Sequence, residues 1–598
     1  MKVTNYLYSN LNYIKQKDLK LYNSLYKIWR EDITNPKIQI IKSKKNEDII
    51  EIISGNEKIR LNSIYNAKRE AEVWAKKYEN IEEATSVIMY GYGSGIFFRE
   101  IKKKLNDSTY IFLYEPDIEL FLFCLKSFDM TEFLAYNNLF IYISGINEKF
   151  FWGDLCDNIN WSMLAGQILC VHTGYKKINT NEYINFEKKM NEFIYAARIS
   201  QNTLIKFAKK FTINILKNLH FIKESNYLGE FENILSNEVP VIIISAGPSL
   251  DKNIEELRKA EKKAVILATD TAVKTLVRKK INFDAIVTID GDKKIDSISE
   301  GVGKNKSLFT VPDAKNEFLE ENKGRKIWIN GAGYVEKLYR KFGYFFPKYS
   351  SGGSVATAAF EIAKIFGAKR IILVGQDLAY NGNNTHAGLV TDDYVENGKE
   401  IYVEGVFGVK VKTRQDWLRY LQWFENSIVQ LQDEIEVIDA TEGGAKIHGT
   451  RVMELSDAIK EYCNSEYDFE EVINNKAVTF IGDKYHIVEK TIKNIKSDFR
   501  EINKNATQAI DTIKEIKLLL ENKTLNKEKF DKYMQIILQK QEDIQKYDVY
   551  ILLDEYISAD VAEMCEDENK ICYDYIDKYR MIFSALIKAT NELETIDI

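Results

Sequence analysis

Short apolar runs separated by amphipathic segments recur in two parts of this chain. In the first part, Val87–Tyr90 and Tyr110–Tyr114 predict two strands joined by a helix. In the second part, the runs that predict strands are Val241–Ile244, Ala264–Leu267, Ala285–Ile289, Leu308–Val311, Ile371–Val374 and Ile435–Ile438. Glu436 interrupts the last run, which favours an edge strand. Apolar strands that alternate with helices are typical of mostly parallel sheets.

The two ends of the chain have other patterns. Near the start, Lys37–Lys42 and Asp48–Ile53 predict a pair of strands around a polar turn. Beyond about residue 455, apolar residues recur at helical spacing and predict a heptad seam. They are Val488, Ile492, Ile495, Phe499, Ile502, Ala506, Ala509, Ile513, Ile516 and Leu520. The seam belongs either to a long antiparallel helix pair that packs on itself or to a helix that docks a second copy or a partner.

These patterns predict the fold class α/β, with two tandem Rossmann-like parallel-sheet units and a helical C-terminal domain. The predicted regions are an N-terminal helix and hairpin region (1–80), a Rossmann-like domain (81–180), a helical connector (181–238), a central α/β domain (239–453) and a C-terminal helical domain (454–598).

Composition narrows the class of function. The 598 residues include 83 basic and 89 acidic ones, for a net charge of -6. Proteins that bind nucleic-acid polymers normally have a basic balance, so we expect no such partner. The start of the chain lacks the apolar core of a signal peptide, and every apolar run is far shorter than the about 20 residues that span a bilayer. Six cysteines without metal-binding spacing are interpreted as free thiols, and we expect a cytoplasmic protein.

The first candidate ligand site is the glycine loop Gly91–Gly95, which follows a predicted strand. Glycines at this place let backbone amides approach a phosphate or ribose, and Glu115, at the end of the next strand, is placed to hold ribose hydroxyls. The spacing departs from the dinucleotide fingerprint, because Ile96 stands where its third glycine belongs. The loop is therefore either a working nucleotide site or a scaffold.

The second candidate site is stronger, because polar residues and glycines follow most strands of the second α/β region. In parallel sheets, ligands bind at the carboxyl ends of the strands, where such residues converge. They are Gly247, Pro248 and Ser249; Asp270 and Thr271; Asp290; Ser351, Gly352 and Gly353; Gln376 and Asp377; and Thr441, Glu442, Gly443 and Gly444. The helix start after Gly247 is a natural seat for a phosphate. His386 is the best-placed candidate general base, and His448 is the second.

Taken together, these motifs resemble the motility-associated factor (Maf) family of flagellin glycosyltransferases. The segments that carry the resemblance are ISAGPSLDKNI, ATDTAV, VTIDGD, SSGGSVATAAFEIAKIFGAKRIILVGQDLAY, NTHA and DATEGGAKIHG. The core is also similar to bacterial sialyltransferases and to the archaeal 6-hydroxymethylpterin diphosphokinase, a much shorter protein. We therefore expect the central sheet unit to be sialyltransferase-like.

The resemblance implies transfer of a nonulosonic acid, of the pseudaminic or legionaminic type, from its CMP-activated donor to Ser or Thr hydroxyls of flagellin before export. Flagellin is then the protein partner, and no cofactor beyond the CMP-sugar is required. The donor would lie against the polar residues and glycines of the second site, with Asp290 near the sugar. Asp290 and Asp292 have the spacing of a metal-binding pair, but similar sialyltransferases work without metal, so we expect no metal site.

One departure from the sialyltransferase pattern leaves the catalytic base open. Those enzymes carry a catalytic His shortly before a helix that here reads WLRYLQWFEN, where this chain has Lys412 and Thr413. The base is then His386, Asp290 or Asp377, or the chemistry relies on positioning alone. Two other functions also stay open, a nucleotide-dependent pyrophosphokinase-like transferase and a non-catalytic flagellin-binding module. The C-terminal helices are a candidate surface for homo-oligomer formation.

Overall fold

A computed structural model of the protein consists of two compact units, residues 1–204 and 205–598, each with its own parallel sheet. The structure describes residues 5–30, 37–54, 57–78, 80–106, 109–158, 167–178, 180–292, 304–331, 333–381, 385, 387, 400–431, 434–478, 480, 482–567 and 575–598. The α/β fold class with two parallel-sheet units and a helical C-terminal region is confirmed. The finer division into five regions stays a prediction.

Unit 1 has seven strands and nine α-helices among its described residues. The strands are β1 (Ile38–Lys42), β2 (Asp48–Ser54), β3 (Glu57–Arg60), β4 (Ser86–Tyr90), β5 (Tyr110–Glu115), β6 (Leu139–Ile143) and β7 (Gln167–Val171). The helices are α1 (Leu7–Lys17), α2 (Leu19–Arg30), α3 (Ala67–Ala75), α4 (Ile96–Lys102), α5 (Ile118–Ser127), α6 (Thr131–Leu134), α7 (Phe151–Asn158), α8 (Tyr175–Ile178) and α9 (Thr180–Asn218), which continues into unit 2.

The two sheets of unit 1 follow from different patterns. β1 and β2 form the predicted antiparallel hairpin, and β3 adds a third strand to it. The other four strands are all parallel, in the order β6-β5-β4-β7. β4 is buried along its whole length, as an inner strand covered on both faces must be. Asp117 begins α5, because its side chain accepts a hydrogen bond from the amide of Leu120.

Unit 2 is built on a longer sheet. Its strands are β8 (Asn226–Tyr227), β9 (Val241–Ile244), β10 (Val265–Thr269), β11 (Ala285–Val287), β12 (Ser307–Thr310), β13 (Lys326–Trp328), β14 (Arg370–Val374), β15 (Ile401–Glu404), β16 (Lys410–Thr413), β17 (Glu436–Asp439) and β18 (Arg451–Val452). Its helices are α10 (Leu250–Asn253), α11 (Asp270–Lys279), α12 (Asn316–Glu321), α13 (Tyr334–Lys341), α14 (Val355–Ile365), α15 (Gln415–Gln430), α16 (Leu455–Tyr462), α17 (Phe469–Lys476), α18 (Asp483–Glu521), α19 (Lys527–Gln545), α20 (Tyr550–Asp567) and α21 (Tyr575–Glu594).

Nine of these strands form one parallel sheet, in the order β18-β17-β14-β9-β10-β11-β12-β13-β8. All six predicted strands are present in it. The prediction that Ile435–Ile438 forms an edge strand is wrong, because β17 is paired on both sides, with β14 and β18. β18 has only two residues, so no periodicity could reveal it. β15 and β16 form a separate antiparallel hairpin.

The predicted heptad seam lies on α18 and is covered by helices of the same chain. Most of its residues are buried, whereas Ile492 is half-buried and Leu520 is exposed. α18 packs along α19 and α21. Ion pairs of Arg500 with Glu594 and of Lys517 with Asp577 show that α18 and α21 run antiparallel. The seam is therefore an intramolecular helix contact, as the first alternative predicted.

Two of the sequence predictions, on membrane spans and on cysteines, can be compared with the described residues. None of the described helices is both long and apolar enough to cross a bilayer. Cys124, Cys170 and Cys463 are buried free thiols.

Candidate functional site

A cleft of about 170 Å³ opens at the carboxyl ends of the central strands of unit 2, between β9, β10 and β14. This is where the strand-end residues were predicted to converge. Its lining comprises Ser245, Ala246, Gly247, Thr269, Asp270, Thr271, Ser354, Val355, Ala356, Gly375, Gln376, Asp377, Leu378, Ala379, Thr385, Trp417 and Tyr420. Of the predicted site residues, Gly247, Asp270, Thr271, Gln376 and Asp377 line it directly.

Gly247 and Asp377 pack tightly against each other at the side of the cleft. The amide of Gly247 donates to the carbonyl of Gly375 at 2.8 Å, which brings the loops after β9 and β14 together. Any Cβ on Gly247 would overlap with the Asp377 carboxylate, so only glycine fits. Asp377 also accepts from the hydroxyl of Ser249 at 2.7 Å and from its amide at 3.2 Å. These contacts join the two strand ends into one rigid wall.

The donor groups at the helix start after Gly247 are therefore already bonded to another part of the protein. α10 is only four residues long, and the Ser249 donors that a phosphate would use already bind Asp377. Two longer helices begin at the cleft: α11, whose first residues Asp270 and Thr271 line it, and α14, whose first residues Val355 and Ala356 line it. Ser354 caps α14 by accepting from the amide of Thr357. The partial positive charge of a helix N-terminus makes this edge of the cleft suited to an anion.

Asp270 is fully buried at the end of β10, although it lines the cleft. One of its oxygens accepts from the hydroxyl of Thr288 at 2.8 Å. The other accepts from the amide and hydroxyl of Thr271 at 2.6 and 3.1 Å. A carboxylate held by these donors has a fixed orientation at the cleft.

The loop after β17 supports the same wall from behind. The hydroxyl of Thr441 accepts from the amide of Gln376 at 3.3 Å, and Gln376 accepts from the hydroxyl of Ser245 at 2.5 Å. Gly444 adopts φ +76° and packs on the backbone of Asp377, where a side chain would clash. Glu442 accepts from Asn253 at 2.9 Å. The predicted Thr441–Gly444 loop therefore presses on cleft residues and does not line the cleft itself.

Burial shifts the acidity of two carboxyls at this wall. Burial raises the pKa of Asp377 to about 6, an effect that its hydrogen bonds from Ser249 oppose. Burial also raises the pKa of Asp439, behind it, to about 6. Asp377 is thus a carboxyl that changes charge near neutral pH, a property that suits an acid or base in catalysis.

Two aromatic residues of α15, Trp417 and Tyr420, line the cleft and were not predicted as site residues. Their spacing of three puts both on one face of the helix. The guanidinium of Arg414 lies over the Trp417 ring at 4.0 Å, and its charge is paired with Asp416 at 2.9 Å. The signal lies in WLRY, where two aromatic residues three positions apart fall on one face of a helix.

Several predicted site residues lie elsewhere. Asp290 is exposed and outside the cleft lining, and it accepts from the amide of Asp292 at 2.8 Å. Pro248 is buried behind the lining, and Ser351–Gly353 precede α14, with Ser351 bonded to Thr357 at 3.0 Å. His448 is exposed on the surface and contacts Glu425 at 2.5 Å, which raises its pKa.

His386 lies outside the described residues. Its two neighbours are described at the cleft: Thr385 lines it, and the amide of Ala387 donates to the carbonyl of Ala246 at 2.8 Å. Among the residues that the structure describes, no group of three or more His, Cys, Asp or Glu side chains is arranged to hold a metal ion.

The glycine loop of unit 1 is filled by protein side chains. A Cβ on Gly91 would lie 2.5 Å from the ring of Tyr175, and one on Gly93 would lie 2.7 Å from Nε2 of His172. The Tyr175 hydroxyl donates to Glu115 at 2.9 Å and accepts from the amide of Gly93 at 3.1 Å. Burial raises the pKa of Glu115 to about 8. The acid that was predicted to hold a ribose thus bonds the loop, as in the scaffold alternative.

Two comparisons with known proteins match this chain. The sequence profile of the family described as 6-hydroxymethylpterin diphosphokinase MptE-like matches residues 213–383, which include β9, β10 and β14. Among solved structures, a MAf glycosyltransferase from Magnetospirillum magneticum AMB-1 is similar, with a TM-score of 0.56 and 14% identity over 98% of this chain and 96% of that one. A search of curated protein sequences finds no match.

The resemblances to the Maf family and to the diphosphokinase core are thereby confirmed, whereas the resemblance to bacterial sialyltransferases stays a prediction. The similarity to the Maf glycosyltransferase extends over nearly the whole chain and shows a shared fold. The diphosphokinase-like part covers the glycine loop after β9 and the Gln376–Asp377 strand end, but it stops before Trp417, Tyr420 and the Thr441–Gly444 loop.

Proposed function

We propose that this protein is a glycosyltransferase that moves a nonulosonic acid, of the pseudaminic or legionaminic type, from its CMP-activated form to Ser or Thr hydroxyls of flagellin. The observation that carries the proposal is the cleft of unit 2. Its wall of Gly247, Asp377 and Gln376 meets the N-terminus of α14 and the aromatic face of α15. The shared fold with a Maf glycosyltransferase supports the same reaction class.

The cleft has the groups that a CMP-sugar requires. The start of α14 suits the single phosphate. Trp417 and Tyr420 offer flat apolar surface to the base or the ribose, and Asp270 offers oxygens to hydroxyls. In the reaction, the acceptor oxygen bonds to the anomeric carbon as the bond from that carbon to the CMP oxygen breaks. CMP is a good leaving group, so the main need is a base for the acceptor proton.

We assign the role of base to His386 and a positioning role to Asp377. Asp377 already accepts two hydrogen bonds from Ser249, which restricts its reach. His386 stands between Thr385 and Ala387, both of which are at the cleft. Asp290, the third candidate, is exposed outside the lining. His386→Ala should therefore abolish transfer while binding of CMP persists.

A protein acceptor needs a surface beside the cleft, and the β15–β16 hairpin offers one. The hairpin is attached to the cleft, since Thr413 donates to the carbonyl of Leu378 at 2.7 Å and the amide of Tyr380 donates to Lys412 at 2.9 Å. Its tip carries Phe407 and Val409, exposed by 75% and 69%. Exposed apolar side chains on a hairpin next to a reaction site suit contact with a protein, and flagellin is the acceptor that we propose.

A thermal-shift comparison tests the proposal against a pyrophosphokinase-like transferase, which the match over residues 213–383 favours. CMP should raise the melting temperature of the full-length protein, because a ligand that binds only the folded state stabilises it. ATP with Mg²⁺ should not. The reverse result would assign the cleft to the kinase-like reaction. Stable binding of flagellin without any sugar transfer would instead identify a non-catalytic flagellin-binding module.

A further inference from the structure

A second cavity, of about 260 Å³, lies entirely within unit 1 and has no role in the proposed transfer. It opens near the carboxyl end of β5, where ligands of parallel sheets bind. Its wall is formed by side chains of β5, of the segment after β6, of α7 and of the first turns of α9. The lining residues are Tyr114, Glu148, Lys149, Trp152, Glu182, Asn185, Phe186 and Lys189.

One side of this cavity is aromatic. Phe186 is buried, and its ring centroid lies 4.8 Å from that of Tyr114 and 5.9 Å from that of Trp152. The planes of Phe186 and Trp152 differ by 35°. The rings pack on one another at tilted angles and form an aromatic wall on this side of the cavity.

The other groups that line the cavity are polar, and they differ in how deeply they are buried. Glu148 and Glu182 are half-buried beside the wall, whereas Lys149, Asn185 and Lys189 are exposed at the mouth. Burial raises the pKa of the Tyr114 hydroxyl to about 12, so it remains a donor. Two carboxylates have acceptor sites for several hydroxyls, and the amide of Asn185 both donates and accepts.

A buried hydroxyl next to the wall also lacks a partner. Tyr90 is fully buried, with its ring 4.7 Å from that of Phe186. Its hydroxyl has no hydrogen-bond partner among the described residues. Buried polar groups are nearly always paired with protein or with another molecule. A buried water molecule would satisfy this hydroxyl, since Tyr90 is not among the residues that line the cavity.

We infer that the cavity binds a saccharide with a single pyranose ring. The C–H face of the ring would lie on Trp152 and Phe186, and its hydroxyls would donate to Glu148 and Glu182. Pockets for larger ligands start at about 300 Å³, so one ring fits best. A nucleotide fits less well, because Tyr175 and His172 fill the loop that would cradle its phosphate. The inference does not depend on what the cleft of unit 2 does.

Saturation-transfer difference NMR on the full-length protein tests this inference. The probes are N-acetylneuraminic acid and N-acetylglucosamine, with excess CMP present to occupy the cleft of unit 2. At least one sugar should receive saturation on its ring C–H protons. An acidic sugar alone would show that the mouth lysines select a carboxylate, and a response to both would show that the ring itself is recognised. No transfer to either sugar overturns the inference.

Variants of the wall and the carboxylates then locate the binding. Trp152→Ala should weaken binding about tenfold, the loss expected when a stacked ring is removed. Glu182→Gln keeps the shape of the cavity and should also weaken it. Phe150→Ala is the matched control, because Phe150 is an exposed aromatic residue outside the lining. Unchanged binding in both cavity variants, or an equal loss in the control, overturns the inference.

Discussion

The two units each contain a glycine loop between a buried strand and a helix, yet the space over the two loops differs. In unit 1, Tyr175 packs on Gly91 and bonds Glu115, so the loop is filled. In unit 2, Gly247 packs on Asp377 at the side of an open cleft. The same local motif thus builds a scaffold in one case and a cleft wall in the other. The difference depends on the residue that packs on the glycine, Tyr175 in unit 1 and Asp377 in unit 2, and in both units this residue lies far from the glycine along the chain.

Gly247→Ala should have the largest effect on function. The added methyl group overlaps with the Asp377 carboxylate and the carbonyl of Gly375, so the wall must move. Because misplacing a site by about 1 Å costs about 100-fold in rate, we expect a loss of transfer of at least that size. The CMP-induced rise in melting temperature should disappear as well.

A control for this variant is Gly153→Ala, because a Cβ at Gly153 meets no atom within 4 Å. That variant should keep both transfer and the response to CMP. A Gly247→Ala protein that still responds fully to CMP would contradict the role of the unit 2 loop.

Gly91→Ala should instead lower stability and leave CMP binding intact. Gly91 has φ +80°, and its Cβ would lie 2.5 Å from the Tyr175 ring, so backbone strain and overpacking add. Together they should cost about 2–4 kcal/mol, seen as a lower melting temperature. Gly145→Ala separates the two causes, because Gly145 has the same φ but no neighbour within 4 Å. Loss of the CMP response in folded Gly91→Ala protein would reverse the assignment of the two loops.

Asp377→Asn should have the smallest effect, a pH-dependent change in stability. Burial raises the folded-state pKa of Asp377 to about 6, whereas the unfolded value is about 3.9. The stability that this carboxyl contributes is therefore full below about pH 4 and is lost as the pH rises through about 6. Asn avoids the ionisation and can still accept from the amide of Ser249 and donate to its hydroxyl.

The melting temperature of Asp377→Asn should thus exceed that of the native protein at pH 8 by roughly 2–4 °C. The gap should narrow as the pH falls below 6 and close near pH 4. A gap that does not change with pH would show that the carboxyl does not titrate in this range.

The sequence predicts features that depend on neighbouring residues better than features that depend on contacts between distant positions of the chain. The apolar runs predicted six of the nine strands of the central sheet and the seam on α18, because burial imposes a local period. β8, β13 and β18 were missed, since they have only two or three residues each, whereas the equally short β11 lies in the longer apolar run Ala285–Ile289. The expectation that polar residues converge at the carboxyl ends of parallel strands correctly placed Gly247, Asp270 and Asp377 at one cleft. It could not tell that Ser249 would bond Asp377 in place of a phosphate, because that contact spans 128 positions of the chain.

The central claim is that the cleft of unit 2 transfers a nonulosonic acid to flagellin, and intact-mass spectrometry of flagellin tests it most directly. Flagellin is incubated with the CMP-activated sugar and the purified protein, with His386→Ala as the parallel reaction. We predict mass increments that each equal one nonulosonic acid residue, and none with His386→Ala. An unchanged flagellin mass, with a protein that is folded and responds to CMP, would contradict the claim.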